Sequence, residues 1–278
     1  MKSTCKYCPS AEPTHEIPLN RLHSYFSGFM RVYGNMARQG KPNNLGGSFP
    51  AQHLKADENL LKKYPISAFY PAAEAVGSHS RFFLATKRVE DCTTTGVSPD
   101  ICKQLDDLNS VSSDREAFAT LSAGDIGWPD NTALPGGATC NENDFANYLK
   151  QLRFTVYQEA ARYELIAQPA SNVLVKEMHE FQKQTLISGI ADYPSNAFVF
   201  SKNNSVMDLL KNPNVWSIGY FFGYDDTATH KIRLILFGIE PDQENPGSGK
   251  IAFAEDKTSD EKTINWSRTF REFSSPRP

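Results

Sequence analysis

The chain has 278 residues, of which 29 are basic and 32 acidic, for a net charge of −3, and 40% are hydrophobic. That is enough apolar matter for one large core or two modest ones. The charges are intermixed, which argues against generic phosphate-backbone binding, and no apolar run approaches the roughly 18 residues of a membrane-spanning helix.

The mean hydropathy of −0.47 fits a soluble chain with long loops. The opening M-K-S-T-C-K-Y-C has no apolar core and does not read as a signal peptide. The five cysteines, Cys5, Cys8, Cys92, Cys102 and Cys140, are odd in number and form no disulfide framework. The expected compartment is therefore the reducing cytoplasm. All five fall in expected loops, and export behind a removed leader would instead permit a Cys92–Cys102 bridge.

Residues 1–16 read as a flexible tail. Cys5 and Cys8, with His15 and His23 beyond, offer four zinc-ligating groups, but their spacing matches no standard finger. No metal is expected, and Cys5, Cys8 and His15 are the candidates should one bind. A first α+β unit spans residues 17–91. Its helix begins at a capping Asn20 and runs to Arg38, with Leu22, Tyr25, Phe26, Phe29, Met30 and Tyr33 on one face. Gly28 and Gly34 weaken it. A short helix over Asp57–Lys63 follows, then a hairpin over Ile66–Val89 in which Pro71 calls for an edge position.

Residues 92–142 form an irregular insertion, punctuated by Pro99, Pro129, Pro135 and Gly136-Gly137. So long a loop region is a place to look for a recognition surface. Residues 143–168 make a long amphipathic linking helix, from about Glu142 to Ala167. Phe145, Tyr148, Leu149, Leu152, Val156, Ala160 and Tyr163 keep helical spacing along it.

A second α+β unit spans residues 172–242. It contains a helix over Val173–Ile190, a short helix stopped at Asn212-Pro213, and strands over Val215–Tyr220 and Ile232–Ile239. The polar stretch Gly223–His230 joins these strands, with Asp225-Asp226 read as turn residues. On the second strand Ile232, Leu234 and Leu236 share one face, and Arg233, Ile235 and Phe237 the other. Only one of these faces is plainly apolar, so one side is expected to pack against helices. Residues 243–278 are a C-terminal extension, with short strands at Lys250–Glu255 and Thr263–Phe270.

The two units echo one another. Leu60-Leu61-Lys62 aligns with Leu209-Leu210-Lys211, Ser67 and Tyr70 with Ser217 and Tyr220, and Phe82-Phe83-Leu84 with Arg233-Leu234-Ile235. Upstream, Leu22, His23 and Tyr25 align with Met178, His179 and Phe181. The expected fold is α+β: two pseudo-repeated helix–helix–β-hairpin lobes joined by the long helix and the insertion. The second unit, with F-x-F-S-K, a D-L-L-K helix ended by N-P, and a hairpin ending L-F-G-I-E, resembles a large group of uncharacterised Bacteroidota proteins. The likeness is clearest over residues 173–242 and departs at Ile239-Glu240-Pro241, where the group has Val-Asp and a glycine. It implies architecture and transfers no site residue.

The duplication also pairs histidines, His23 with His179 and His79 with His230. If helix and hairpin tip met, each lobe would bring two imidazoles together for metal binding or proton transfer. The simpler reading makes them turn and half-buried helix residues. Tyr70 and Tyr220 are the aromatic candidates for a binding surface. The sequence carries no nucleophile elbow, P-loop, H-E-x-x-H or G-x-G-x-x-G pattern. The expectation is a non-enzymatic interaction or structural protein, binding a protein partner or itself, with no cofactor. The alternatives are an enzyme or metal-binding protein using the duplicated histidines, or a small-ligand binding protein.

Overall fold

The computed structural model describes residues 15–38, 46–51, 62, 66–76, 79–90, 104, 112–113, 141–155, 176–181, 198–201, 206–225, 231–258 and 261–273. In chain order these form β1 (His15–Glu16), α1 (Leu19–Arg38), β2 (Gly46–Pro50), β3 (Ile66–Val76), β4 (His79–Val89), β5 (Ser112–Ser113), α2 (Glu142–Gln151) and β6 (Phe154–Thr155). Then come α3 (residues 176–181), β7 (Phe198–Ser201), α4 (Val206–Leu209), β8 (Ser217–Asp225) and β9 (Lys231–Pro241). The chain continues through β10 (Ser248–Ile251), β11 (Glu255–Thr258), β12 (Glu261–Ile264), α5 (Trp266–Thr269) and β13 (Phe270–Phe273). The architecture is mixed helix and strand, as an α+β reading requires.

The long strand β9 is the axis of a sheet of seven described strands. One edge of β9 pairs with β8 along nearly its whole length. The other edge forks. β13 takes Leu234 to Phe237, and β10 takes Ile239 to Pro241. Gly238 sits at the fork, where its carbonyl accepts the Ala252 N–H at 2.9 Å. β2 extends the sheet beyond β8, β1 beyond β13, and β6 beyond β10. A second sheet runs β5-β4-β3-β7, and β11-β12 form a small hairpin of their own.

Every residue from Ile232 to Ile239 is buried, so the face carrying Arg233, Ile235 and Phe237 is covered as well as the plainly apolar one. By register, Phe221, Phe237 and Phe270 share one face, and Tyr220, Phe222 and Leu234 the other. Phe237 is the hub of the first, 4.6 Å from the Phe221 ring and 5.6–5.7 Å from Phe270 and Phe154. On the second, Phe222 meets Phe29 of α1 and Phe181 of α3. Phe49 of β2 bridges the sheets, lying against Tyr220 and against Phe69 of β3.

α1 starts earlier than the Asn20 cap predicts. The Pro18 carbonyl accepts the Arg21 and Leu22 N–H groups, and fully buried Ile17 anchors the entry. The helix packs along β8 so closely that a Cβ on Gly28 would lie 2.4 Å from the Tyr224 carbonyl oxygen. The weak helix residue is what lets the backbones approach.

Several boundaries are corrected. The linking helix ends at Gln151. Leu152 turns extended (φ −56°, ψ 131°) and the chain enters β6. Asn141 caps the helix, its side-chain oxygen accepting the Asp144 N–H at 2.9 Å. Continuing as helix would forfeit the ladder with β10 and the burial of both Leu152 and Phe154, so tertiary pairing overrides the helical spacing. The remainder of that predicted helix lies outside the described residues. His15–Glu16 is not tail but a strand paired with β13. The C-terminal segment is not an appendage, since β13 and β10 flank the central strand. The β8–β9 hairpin keeps its pairing through Asp225 and Lys231, well into the stretch read as turn. Pro71 does not interrupt its strand: β3 runs on to Val76, paired with β4 throughout, while the ladder with β7 stops at Phe69.

Candidate functional site

At the hairpin-tip end of the seven-stranded sheet the first face turns ionic. Arg233 donates to Asp225 at 2.8 Å and lies 3.8 Å from Glu272, and all three are buried. From α1 the Tyr25 hydroxyl donates to Glu272 at 3.3 Å, and the Arg21 Nε donates to Tyr25 at 2.6 Å. The Arg233 guanidinium also stands 5.6 Å from the centre of the Tyr25 ring. Burial, and then the Glu272 carboxylate, push the Tyr25 hydroxyl above its usual pKa, while Arg233 and Arg21 oppose the shift. Burial works against the Arg21 charge, but Glu272 and Tyr25 more than offset it, so Arg21 holds its proton more firmly than usual. This network binds α1, β8, β9 and β13 together. Its charges are paired across these elements, which makes it a structural device.

The open site lies at the other end of β9. A polar cleft of about 590 Å³ is lined there by residues from separate stretches. Asp208 of α4 and Lys211, Asn212 and Asn214 after it line the cleft. Glu240 of β9, Phe253, Ala254 and Glu255, with Arg268 of α5 and Arg271 of β13, complete the lining. Burial holds the Glu240 carboxyl above the usual range; Lys250 and the Asn212 side chain oppose this, and Glu255 adds repulsion. Arg271 is 2% exposed and donates to the carbonyls of Ser267 and Phe270 at 3.0–3.1 Å. Burial is the main reason it holds its proton less firmly than a free arginine; Glu16 and Asp208 oppose this, and neighbouring Arg268 adds to it. Charges of both signs, amides and the Phe253 ring together can recognise a polar ligand.

The ionic residues that matter were legible only in part. Asp225 was read as a turn residue, and the structure pairs it with Arg233. A charge inside an unbroken apolar run, as Arg233 is in I-R-L-I-L-F, was the available signal. Glu272 in F-R-E-F gave a fainter one.

Of the residues singled out from the sequence, His23 is half-buried on α1, its ring 5.2 Å from that of Phe145 in α2. Its Nε2 has no hydrogen-bond partner among the described residues. His179 is exposed on α3. His79 opens β4, paired with Val76 in the four-stranded sheet, whereas α1 packs on β8 in the seven-stranded one. His230, Cys5, Cys8, Cys92, Cys102 and Cys140 lie outside the described residues, and His15 is in β1. Tyr70 and Tyr220 are fully buried core residues. Among the described residues no three His, Cys, Asp or Glu side chains gather as a metal site would need, and no helix is long and apolar enough to cross a membrane. No family model, curated protein or solved structure matches the chain.

Proposed function

We propose that this chain is a non-enzymatic interaction protein whose recognition surface is the polar cleft beside Glu240. The observation that supports the reading is the cleft's make-up: three acids and three bases lining one cleft, drawn from α4 and the turn after it, β9, β11, α5 and β13. Such a surface selects partners by electrostatic complementarity. Trp216 stands near it, 49% exposed, two residues beyond Asn214 and with its N–H on the Ile239 carbonyl. Native mass spectrometry, with metal analysis of the same sample, tests the role. A metal-free chain carrying a stoichiometric partner or second copy is expected, released by the double variant K211E/R268E. A stoichiometric transition metal without such a partner would overturn it and turn attention to the duplicated histidines.

We further infer that residues 17–91 and 172–242 arose from one duplicated unit. Supporting this, the halves trade strands reciprocally. β2 of the first pairs with β8 of the second, and β7 of the second with β3 of the first. Pro50 faces Ser217 where Phe200 faces Ser67, and the alignment already matches Ser67 to Ser217. The matched pairs Tyr70 and Tyr220, Leu22 and Met178, and Tyr25 and Phe181 are all buried. An experimental structure in which one unit superposes on the other, Tyr220 over Tyr70, is the expected result. Diverging helix paths would end the idea.

A further inference from the structure

The charged side chains that line the cleft cancel: Asp208, Glu240 and Glu255 against Lys211, Arg268 and Arg271. Their signs are also interleaved. Lys211 pairs with Asp208 at 2.5 Å, and Asp208 acts on Arg271 as well. Lys250 stands opposite Glu240 in the ladder with β10 and draws on its charge. Lys262 meets Glu255 at 3.0 Å, and Asp256 meets Arg268 at 3.6 Å. A bare anion or cation would meet its own sign beside the opposite one and gain little over water. The lining offers hydrogen bonds of both kinds instead. Carboxylates accept, guanidinium and ammonium groups donate, and Asn212 and Asn214 do both. A hydroxyl is likewise donor and acceptor at once. A peptide backbone presents such groups singly, whereas a sugar ring carries hydroxyls on neighbouring carbons. Adjacent hydroxyls match the paired oxygens of a carboxylate and the forked donors of a guanidinium. The volume of about 590 Å³ falls within the range of roughly 300–1,000 Å³ typical of small-ligand sites. Half-buried Phe253, packed edge-on against Trp266 at 5.4 Å, supplies aromatic surface in an otherwise polar lining. The C–H face of a sugar ring suits such a surface.

We propose that the cleft binds a neutral saccharide, its hydroxyls hydrogen-bonded by Glu240, Arg268 and the Asn212 and Asn214 amides and its C–H face on Phe253. This rests on the reading of the cleft as the recognition surface and names the chemistry it recognises. The sugar is either free or carried by a partner, and the two are told apart below.

The test uses the full chain and a mixture of neutral disaccharides built from glucose, galactose, mannose and N-acetylglucosamine. Binding is read by saturation-transfer NMR and its strength by titration calorimetry. At least one member is expected to bind at millimolar concentration. Its affinity should be the same in about 0.05 M and 0.5 M salt, because a ligand without charge has no attraction to screen. E240Q and R268Q each remove a charge-assisted hydrogen bond and should weaken binding about tenfold. Folding of both is checked by circular dichroism. N214A, at an exposed position, is a third variant and should weaken binding severalfold. If no disaccharide binds, if binding falls tenfold between the two salt concentrations, or if all three variants bind like the wild type, the saccharide is overturned. If in that case K211E/R268E still releases the protein's partner, the interaction role stands without it. If that variant releases nothing either, both fall. Where a disaccharide binds and also displaces the partner, the natural ligand is the partner's own sugar. Binding without displacement assigns the cleft to a free saccharide.

Discussion

Arg233 is a buried cation whose two carboxylate neighbours, Asp225 and Glu272, come from different strands. Replacing it with alanine would take the guanidinium from two buried carboxylates, leaving Glu272 to Tyr25 and Arg21. The expected loss is about 3–5 kcal/mol, the usual consequence of breaking a buried pair from one side, and urea unfolding measures it. Tyr25→Phe removes only the hydroxyl that hydrogen-bonds Glu272 and Arg21, which also pair directly at 3.5 Å, and about 1 kcal/mol is expected. Two carboxylates carry opposite pH signatures. Burial would raise Asp242, but the Asn245 amide, the Glu244 N–H and Arg153 outweigh it and hold the carboxyl below its ordinary value. Its folded pKa is depressed, so its stabilisation is complete above the unfolded value of about 3.9 and fades as pH falls through the folded one. The stability gap between the wild type and D242N should therefore be widest near neutrality and close in acid. Glu240 is raised by burial, so its ionisation costs stability as pH climbs through the folded pKa. E240Q is expected to match the wild type in acid and to be the more stable of the two at neutral pH, by thermal unfolding at both.

At the scale of elements, Gly28 shows how local preference and packing oppose one another. Alanine in a helix interior gains about 1 kcal/mol over glycine. Here its Cβ would press on a backbone oxygen of β8 that cannot move without shifting the strand. Overpacking at such a contact costs about 1–3 kcal/mol or more, so G28A should be destabilising in chemical denaturation despite the better helix former. Helical spacing made α1 readable over nearly its whole length. The same spacing misled at α2, because Leu152 and Phe154 serve an extended backbone as well as a helical one. Hydrophobic period alone does not separate the two when the partner strand, β10, lies nearly a hundred residues on.

Across the whole molecule, the halves are tied by strands rather than by one interface. β2 completes the sheet built on β8–β9, and β7 completes the sheet built on β3–β4. Fragments 1–141 and 142–278 should each lack a complete sheet. Neither is expected to give dispersed amide resonances alone, and mixing them should restore both dispersion and a single cooperative melt. Independent folding of either fragment would show that the traded strands are dispensable. Pairings so distant in sequence also predict slow folding for the chain's size.

The amino-acid sequence by itself determined the hairpins, the amphipathic helix α1, the short D-L-L-K turn of helix and the mixed α+β class. These follow from local periodicity, β-branched and aromatic runs, and proline stops, which act over a few residues. Only the tertiary structure decided the rest. That Glu272 and Asp225 share Arg233, that Glu240 lines one cleft with Arg268 and Arg271, and that His15–Glu16 is a strand all depend on which distant segments pair. Charged side chains carry no periodic signal of their own. Their partners are set by strand register, and register is fixed by the burial of the apolar residues on either side of them.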